Sequence, residues 1–322
     1  MNYGNLIGDA FRIAWRNRYL WFFGLFISGS VASFNASFPP NPESSASGSS
    51  TGGVPVWLVG LGQWAQQNVA LAVALGVVLL IVFLVVFLGL WLISAGGLAA
   101  SVAAIDRGER RTFVSTWRAG IRNFWRVFLY VVLFFLIGLV PAIVIGGPAA
   151  LGIFGITAAT ESVGLRVLFI SLVGLVAFAL LLVISVALYI VQQLALRELM
   201  IGGRGVVASV GGGYRLFRRY LGRVLVVWLI QFALALAVVA VISIIGFIVG
   251  IAQSAGFIAL SYAAPYPLVV GLAVVTGLLL SLPFVVLGAA IGVFNHAYWT
   301  LAYLQLTAGQ QPQGEYAPRT TG

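Results

Sequence analysis

Few side chains in this sequence could carry out acid–base or metal chemistry. The chain has one histidine, His296, and seven acidic residues, which are Asp9, Glu43, Asp106, Glu109, Glu161, Glu198 and Glu315. General acid–base catalysis and metal binding need such groups in close, defined sets, and these acids lie in loops or at the ends of apolar segments. Cysteine is absent, which excludes a thiol nucleophile and disulfides. We therefore expect a protein that is not an enzyme and that carries no metal or other cofactor.

Arginine is the functional group that stands out. All 17 basic residues are arginine, and the net charge is +10. An aromatic residue, an arginine, three residues and a second arginine recur as Phe11-Arg12…Arg16, Trp117-Arg118…Arg122 and Tyr214-Arg215…Arg219. This spacing places both guanidinium groups on one helical face, where they can bind lipid phosphates while the aromatic ring enters the acyl boundary.

The candidate headgroup-binding residues are Arg12, Arg16, Arg118, Arg122, Arg215, Arg218, Arg219 and Arg223. Each arginine near an anionic leaflet contributes about 1 kcal/mol of attraction. An alternative is that these arginines only fix the orientation of the chain during insertion. The two interpretations are compatible.

A second set of polar residues interrupts the apolar segments. Its members are Tyr189, Gln192, Gln193, Gln231, Asn295, His296 and Tyr298. Hydrogen-bonding side chains in lipid are expected to pair across helices, so one interpretation is a set of interhelical hydrogen bonds. The other is a polar cavity between spans 4, 5 and 6, open to the cytoplasm, for a small solute or a lipid headgroup.

The composition indicates the medium in which these groups lie. The chain is 61% hydrophobic and 7% charged, with a mean hydropathy of +1.10. Soluble domains carry about 25% charged residues, so most of this surface must face lipid. In this setting the basic balance indicates membrane topology and anionic lipid, not nucleic acid.

Hydropathy divides the chain into six predicted spans. An amphipathic interfacial helix (1–18) precedes a short apolar segment (19–34), a flexible Ser/Gly/Pro-rich external loop (35–56) and an interfacial stretch (57–68). Five further apolar segments follow, at 69–104, 127–147, 165–196, 224–250 and 267–305. Spans 2, 4 and 6 are longer than a bilayer requires, so we expect tilt, a break or protrusion into the cytoplasm, and Gly96–Gly97 and Pro283 are the expected places for any bend. A polar tail, 307–322, ends the chain.

The start of the chain has two other interpretations. Arg16, Arg18 and the apolar stretch after them loosely resemble a cleaved signal peptide, and residues 19–34 could form a re-entrant loop. The distribution of arginine favours a crossing. With six spans and both termini inside, sixteen arginines are cytoplasmic and only Arg166 is external. This bias predicts a multi-pass protein of the bacterial inner membrane with cytoplasmic N- and C-termini.

The arginine motif also predicts an internal repeat. Arg-Gly precedes the last two copies by the same distance, at Arg107-Gly108 and Arg204-Gly205. We predict an all-α integral membrane protein with six transmembrane helices, built from three repeats of a basic interfacial helix and a helical hairpin. The repeats cover 1–104 (spans 1 and 2), 105–196 (spans 3 and 4) and 197–306 (spans 5 and 6).

The basic segments resemble those of a family of uncharacterised bacterial polytopic membrane proteins. The resemblance rests on "FRIAWRNRYLWFFGLF" (11–26), "WRAGIRNFWRVFLYVVLF" (117–134) and "GGGYRLFRRYLGRVLVVWLI" (211–230). Some members of that family are labelled glycerophosphodiester phosphodiesterase membrane-domain-like. The resemblance implies a six-helix membrane domain without a catalytic domain.

The sequence thus predicts a non-enzymatic membrane protein that engages anionic lipid headgroups, or a membrane-protein partner or second copy of itself, through its basic interfacial helices. The alternative is a transporter or channel for a small solute or lipid that uses the polar residues of spans 4, 5 and 6.

Overall fold

The computed structural model describes residues 2–28, 56–262, 264 and 266–308. Regular structure in these ranges is entirely helical. The helices are α1 (Tyr3–Arg16), α2 (Trp21–Ile27), α3 (Val56–Gln67), α4 (Val69–Asp106), α5 (Phe113–Arg122), α6 (Phe124–Pro141), α7 (Gly147–Ala159), α8 (Val163–Met200), α9 (Val206–Arg219), α10 (Leu221–Ser261) and α11 (Tyr266–Thr307). The predicted loop 35–56, apart from Val56, and the tail beyond residue 308 lie outside the described residues.

In the part of the chain that the structure describes, five helical segments are long and apolar enough to cross a membrane. They are α4, the continuous stretch from Phe124 to Ala159, α8, α10 and α11, with lengths between 36 and 42 residues. Almost none of the residues in their most apolar stretches are buried within the protein. Side chains such as Leu79, Phe135 and Phe247 are instead more than half exposed. Because lipid must cover this surface, the chain is an all-α, multi-pass membrane protein.

The helices are longer than hydropathy predicted, most clearly at the third and fifth spans. At 1.5 Å per residue a helix of this length exceeds a hydrocarbon core of about 30 Å. The helices at Gly96–Gly97 and Pro283 are uninterrupted. A π-helical segment (Ala142–Gly146) instead follows Pro141, whose missing N–H weakens regular α-helical bonding.

The first predicted span is only partly described. A 3-10 turn and α2 form an apolar helical stretch from Arg18 to Ile27, and residues 29–34 lie outside the described part of the chain. α2 packs tightly on α11, because a Cβ on Gly24 would lie 2.1 Å from the carbonyl oxygen of Ala289. A Cβ on Gly292 would likewise lie 2.6 Å from the Gly24 carbonyl. Small residues that let helix backbones approach in this way are typical of membrane helix pairs.

Each arginine motif lies on a short helix that ends at its second arginine. α1 ends at Arg16, α5 at Arg122 and α9 at Arg219, and one residue separates each of them from the next helical segment. Each buries one stripe of small or apolar residues, such as Leu6 and Ala10 in α1. The start of α5 is fixed by Thr112 and Ser115, whose side chains each accept a hydrogen bond from the other's backbone N–H.

The chain folds into two compact units, each made of segments that are distant in sequence. One unit comprises residues 1–13, 95–229 and 296–322, and the other comprises 14–94 and 230–295, where described. In the first unit, α6 and α8 share a core of Tyr130, Phe134, Val191, Ala195, Leu196 and Leu199. In the same unit α5 joins α4 through a 2.8 Å hydrogen bond between the hydroxyls of Ser101 and Thr116. The three consecutive repeats remain a prediction.

Candidate anion-binding site

A basic cavity lies where α8 ends and α9 begins, within the first unit. Its volume is about 430 Å³. We call it the arginine pocket, and its lining residues are Glu198, Gly202, Arg204, Gly212, Arg215, Leu216, Arg219, Tyr303 and Thr307. Two of the eight candidate headgroup-binding arginines, Arg215 and Arg219, therefore lie at a cavity and not on a flat surface.

Glycines in two places shape the pocket. Gly203, with a φ of +65°, takes the left-handed conformation that ends α8 and turns the chain toward α9. On α9, a Cβ at Gly213 would lie 2.8 Å from the backbone nitrogen of Ala195, and one at Gly212 would lie 2.9 Å from Cγ of Glu198. The glycine run at 211–213 thus lets α9 pack directly against α8.

Glu198 is the carboxylate of the pocket, and its charge is offset locally. Its side chain is only 9% exposed, and Oε1 lies 3.0 Å from Nε of Arg204. The hydroxyl of Tyr303, on α11, donates a hydrogen bond to Oε2. Both carboxylate oxygens are therefore engaged by side chains of the pocket itself.

Arg215 and Arg219 are exposed and form no ion pair with any residue in the described part of the chain. They lie four residues apart on α9, so both point to the same face. The Arg219 guanidinium also lies 5.4 Å from the ring centre of Tyr220. With three guanidinium groups and one carboxylate, the pocket has a net positive charge that suits an anion.

The other candidate arginines also lie at the surface. Arg16, Arg118, Arg122, Arg218 and Arg223 are exposed. Arg12 is exposed too, and it pairs with Asp9 at 3.4 Å. Exposed ion pairs of this kind contribute little to stability, so Arg12 can exchange its partner for a lipid phosphate at small cost.

A separate ion-pair network lies in the turn between α4 and α5. Glu109 binds Nε of Arg107 at 3.2 Å and a terminal nitrogen of Arg111 at 2.8 Å. The hydrogen bond from Arg111, helped by the charges of both arginines, lowers the pKa of the Glu109 carboxyl below its usual value of 4.5. These two arginines thus have an acidic partner, in contrast to Arg215 and Arg219.

The polar residues predicted to form a cavity belong to both compact units, and a site shared by all of them stays a prediction. Tyr189 and Gln192 line an apolar cavity of about 520 Å³ between α6 and α8, beside Pro141. Gln193 instead accepts a 2.5 Å hydrogen bond from Arg197. Tyr298 donates to the carbonyl of Val227 at 2.9 Å.

His296 lies in the first unit, with a buried Nδ1 that has no hydrogen-bond partner in the described part of the chain. Gln231 and Asn295 belong to the second unit, where Gln231 is buried. The hydrogen bond from Tyr298 on α11 to Val227 on α10 favours the interpretation that such polar residues hold helices together, whereas the bond between Gln193 and Arg197 lies within α8.

Sequence reasoning missed the most buried charged residue, Arg197. Its side chain is fully buried, and it donates to the Gln193 carbonyl at 2.9 Å and to the His296 carbonyl at 3.4 Å. The distribution of arginine places Arg197 with the cytoplasmic arginines, and the hydropathy pattern places Glu198 at the end of a span. A signal was present in "LALRELM" (194–200), where two opposite charges follow an apolar helix without a turn residue.

Comparisons with known proteins add no constraint. No protein-family model matches the chain, and no curated protein or solved structure matches it either. The resemblance to uncharacterised bacterial membrane proteins therefore remains a prediction. Among the described residues, no group of three or more His, Asp or Glu side chains could hold a metal ion.

Proposed function

We propose that this protein is a non-enzymatic, multi-pass protein of the bacterial inner membrane that binds anionic lipid headgroups through the arginines of α1, α5 and α9. The observation that carries the proposal is the pair Arg215 and Arg219, exposed at a cavity without a carboxylate partner among the described residues. Each guanidinium near an anionic leaflet adds about 1 kcal/mol of attraction. The short link from each basic helix to the following apolar segment would hold these groups near the headgroup layer.

The proposal includes six crossings, with the arginine helices on the cytoplasmic side. The close contact of α2 with α11 supports a first crossing at residues 19–34, since this packing is typical of membrane helices. The distribution of arginine supports cytoplasmic termini. Labelling of single cysteines at positions 110 and 218 from either side of the membrane tests this, because the proposal requires both positions on the same side.

Lipid binding can be tested with the purified protein in a neutral detergent. We expect phosphatidylglycerol to raise the melting temperature more than phosphatidylcholine does, and the difference to shrink as salt increases. The variant Arg215→Gln/Arg218→Gln/Arg219→Gln should lose most of this difference. The control Arg166→Gln removes the arginine predicted to be external and should keep it. Equal stabilisation by both lipids would contradict the proposal.

A membrane-protein partner or a second copy of the chain could occupy the same basic surface. Such a partner predicts salt-sensitive association in lipid-free detergent, which size-exclusion chromatography with light scattering detects. Transport remains the alternative function and predicts solute-dependent stabilisation in neutral lipid. The hydrogen bond of Tyr298 to the Val227 carbonyl gives it less support than lipid binding receives, because it uses one of the candidate polar groups to join α11 to α10.

A further inference from the structure

We propose that the arginine pocket is a dedicated site for a phosphomonoester, in which Arg215 and Arg219 bind the phosphate group and Glu198 and Tyr303 hold Arg204 at the rim. This inference names the class of ligand for the proposed function. It rests on that function only in assigning the phosphate to a lipid headgroup. The headgroup of phosphatidic acid is a phosphomonoester, and free inorganic phosphate has a similar charge and similar free oxygens.

The shape of the cavity supports a bound group and not only surface attraction. About 430 Å³ lies within the range of roughly 300–1,000 Å³ that ligand sites occupy. Most of its wall comes from α8, α9 and α11, which hold the lining residues on helices, and Gly202 and Arg204 complete it from the turn between α8 and α9. Because Gly212 and Gly213 have no side chains, Glu198 fits between α8 and α9. The two arginines on α9 can then face a space bordered by Tyr303 and Thr307.

Charge selects the class of ligand. The buried carboxylate of Glu198 would repel a phosphate, but Arg204 lies 3.0 Å away and offsets it. Two guanidinium groups, those of Arg215 and Arg219, remain without an acidic partner in the described part of the chain. A phosphomonoester carries a charge of about −1.5 to −2 at neutral pH, which matches these two groups. A phosphodiester carries a single negative charge and leaves one of them uncompensated.

Hydrogen bonding gives a second reason for this class. A guanidinium group has donors in a planar fork that matches two phosphate oxygens. Two forks on one helical face suit a terminal phosphate, which has three free oxygens. A phosphodiester offers two free oxygens and brings a substituent on each side.

The residues around Glu198 act as positioning residues. The Tyr303 hydroxyl and the Arg204 guanidinium fix the two carboxylate oxygens. Arg204 itself is half exposed, and it follows Gly203 in the turn between α8 and α9. If Tyr303 loses its hydroxyl, Glu198 can move and its negative charge is less well offset. Tyr303→Phe should therefore weaken binding of phosphatidic acid while leaving the weaker binding of phosphatidylglycerol unchanged.

The test measures binding of phosphatidic acid, phosphatidylglycerol and inorganic phosphate to the full chain in neutral detergent, by native mass spectrometry and thermal shift. The pocket variant is Arg215→Gln/Arg219→Gln. The matched control is Arg118→Gln/Arg122→Gln, which removes an equally spaced and equally exposed pair from α5. We expect saturable binding of phosphatidic acid that weakens about 30-fold in the pocket variant, because that variant loses the direct charge-assisted hydrogen bonds of two guanidinium groups to the phosphate. The control should weaken binding only a few-fold.

The outcomes separate this inference from the proposed function. Equal losses in the pocket and α5 variants would overturn the pocket but leave general lipid binding intact. Equal affinities for phosphatidic acid and phosphatidylglycerol would overturn the phosphomonoester assignment. Saturable inorganic phosphate binding that the pocket variant alone loses, without any preference for anionic lipid, would support the site and overturn the lipid function. Competition of inorganic phosphate with phosphatidic acid would support both.

Discussion

Arg197 and the pair Arg215–Arg219 show two different uses of the same side chain in one unit of the molecule. Arg197 is fully buried and bonds to neutral oxygens of Gln193 and His296. Arg215 and Arg219 are exposed at a cavity and have no acidic partner among the described residues. Burying a charge is costly unless its hydrogen bonds are made within the protein. Arg197 therefore links α8 to α11, whereas the α9 pair has no such internal role among the described residues and, in our proposal, binds an external anion.

The largest expected effect comes from removing the buried arginine. Arg197→Ala leaves a cavity and removes the side-chain hydrogen bonds to Gln193 and His296, so we expect it to lower the free energy of unfolding by about 2–5 kcal/mol. Denaturant unfolding in detergent, followed by tryptophan fluorescence, measures this. Arg219→Ala is the matched change at an exposed site and should stay within about 0.5 kcal/mol of the wild type. Equal effects of the two changes would remove the distinction between the two kinds of arginine.

The hydroxyl of Tyr303 tests whether Glu198 belongs with the buried set. Because this hydroxyl donates to a carboxylate that is nearly buried, Tyr303→Phe should cost about 1.5–3 kcal/mol. Tyr298→Phe removes a hydroxyl that donates to a neutral carbonyl, that of Val227, and should cost about 0.5–1.5 kcal/mol. The melting temperatures of both variants in detergent show which substitution destabilises the protein more. A Tyr298→Phe cost at or above that of Tyr303→Phe would argue against a charged Glu198 in the pocket.

The glycine run on α9 offers a way to disturb the pocket without changing any charge. A Cβ at Gly213 would lie 2.8 Å from the backbone of α8, so Gly213→Ala should cost about 1–3 kcal/mol and weaken phosphatidic acid binding. Gly211 lies two residues away, and a Cβ there meets no atom within 4 Å. Gly211→Ala should therefore be neutral or stabilise by about 0.4–1 kcal/mol. Thermal unfolding and lipid binding of both variants check this pair.

Equal stability of the Gly213→Ala and Gly211→Ala variants would mean that α8 and α9 do not pack at the observed distance. Loss of stability at Gly213 with unchanged lipid affinity would separate the packing of α9 from the binding site. The second result would mean that Arg215 and Arg219 alone determine which anion the pocket binds.

Local patterns in the sequence predicted the helices well, and long-range contacts explain most of what they missed. The apolar segments and the arginine spacing depend on neighbouring residues, and α5 and α9 each end at the second arginine of the motif. Burial of Arg197 depends on α11, about a hundred residues later in the chain. The contact of Tyr303 with Glu198 has the same origin. Hydropathy also ended the span at 127–147 too early, because α7 continues the helical stretch from Gly147 to Ala159.

The polar residues within the spans show the same limit. Gln193 accepts a hydrogen bond from Arg197 on the same helix, whereas its neighbour Gln192 lines an apolar cavity beside α6. Residues one position apart on a helix point about 100° apart, so neighbours in sequence bind different partners. A pattern in sequence locates polar side chains within a span, but the facing helix decides what each of them contacts.

The smallest expected effect lies in the turn before α5. There Glu109 forms exposed ion pairs with arginine, whereas Glu198 forms its ion pair with Arg204 from a nearly buried position. Arg111, and then Arg107, hold the pKa of Glu109 below its usual value of 4.5 in the folded protein. The stabilisation is therefore full near neutral pH, begins to fall as the pH approaches 4.5, and is lost once the pH drops below the pKa of the folded state. Glu109→Gln should lower the melting temperature slightly near neutral pH and leave it unchanged in acid. Arg111→Gln, which removes the main cause of the shift, should flatten the same pH dependence; a difference that persists undiminished in strong acid would instead mean that Glu109 acts through packing and not through its charge.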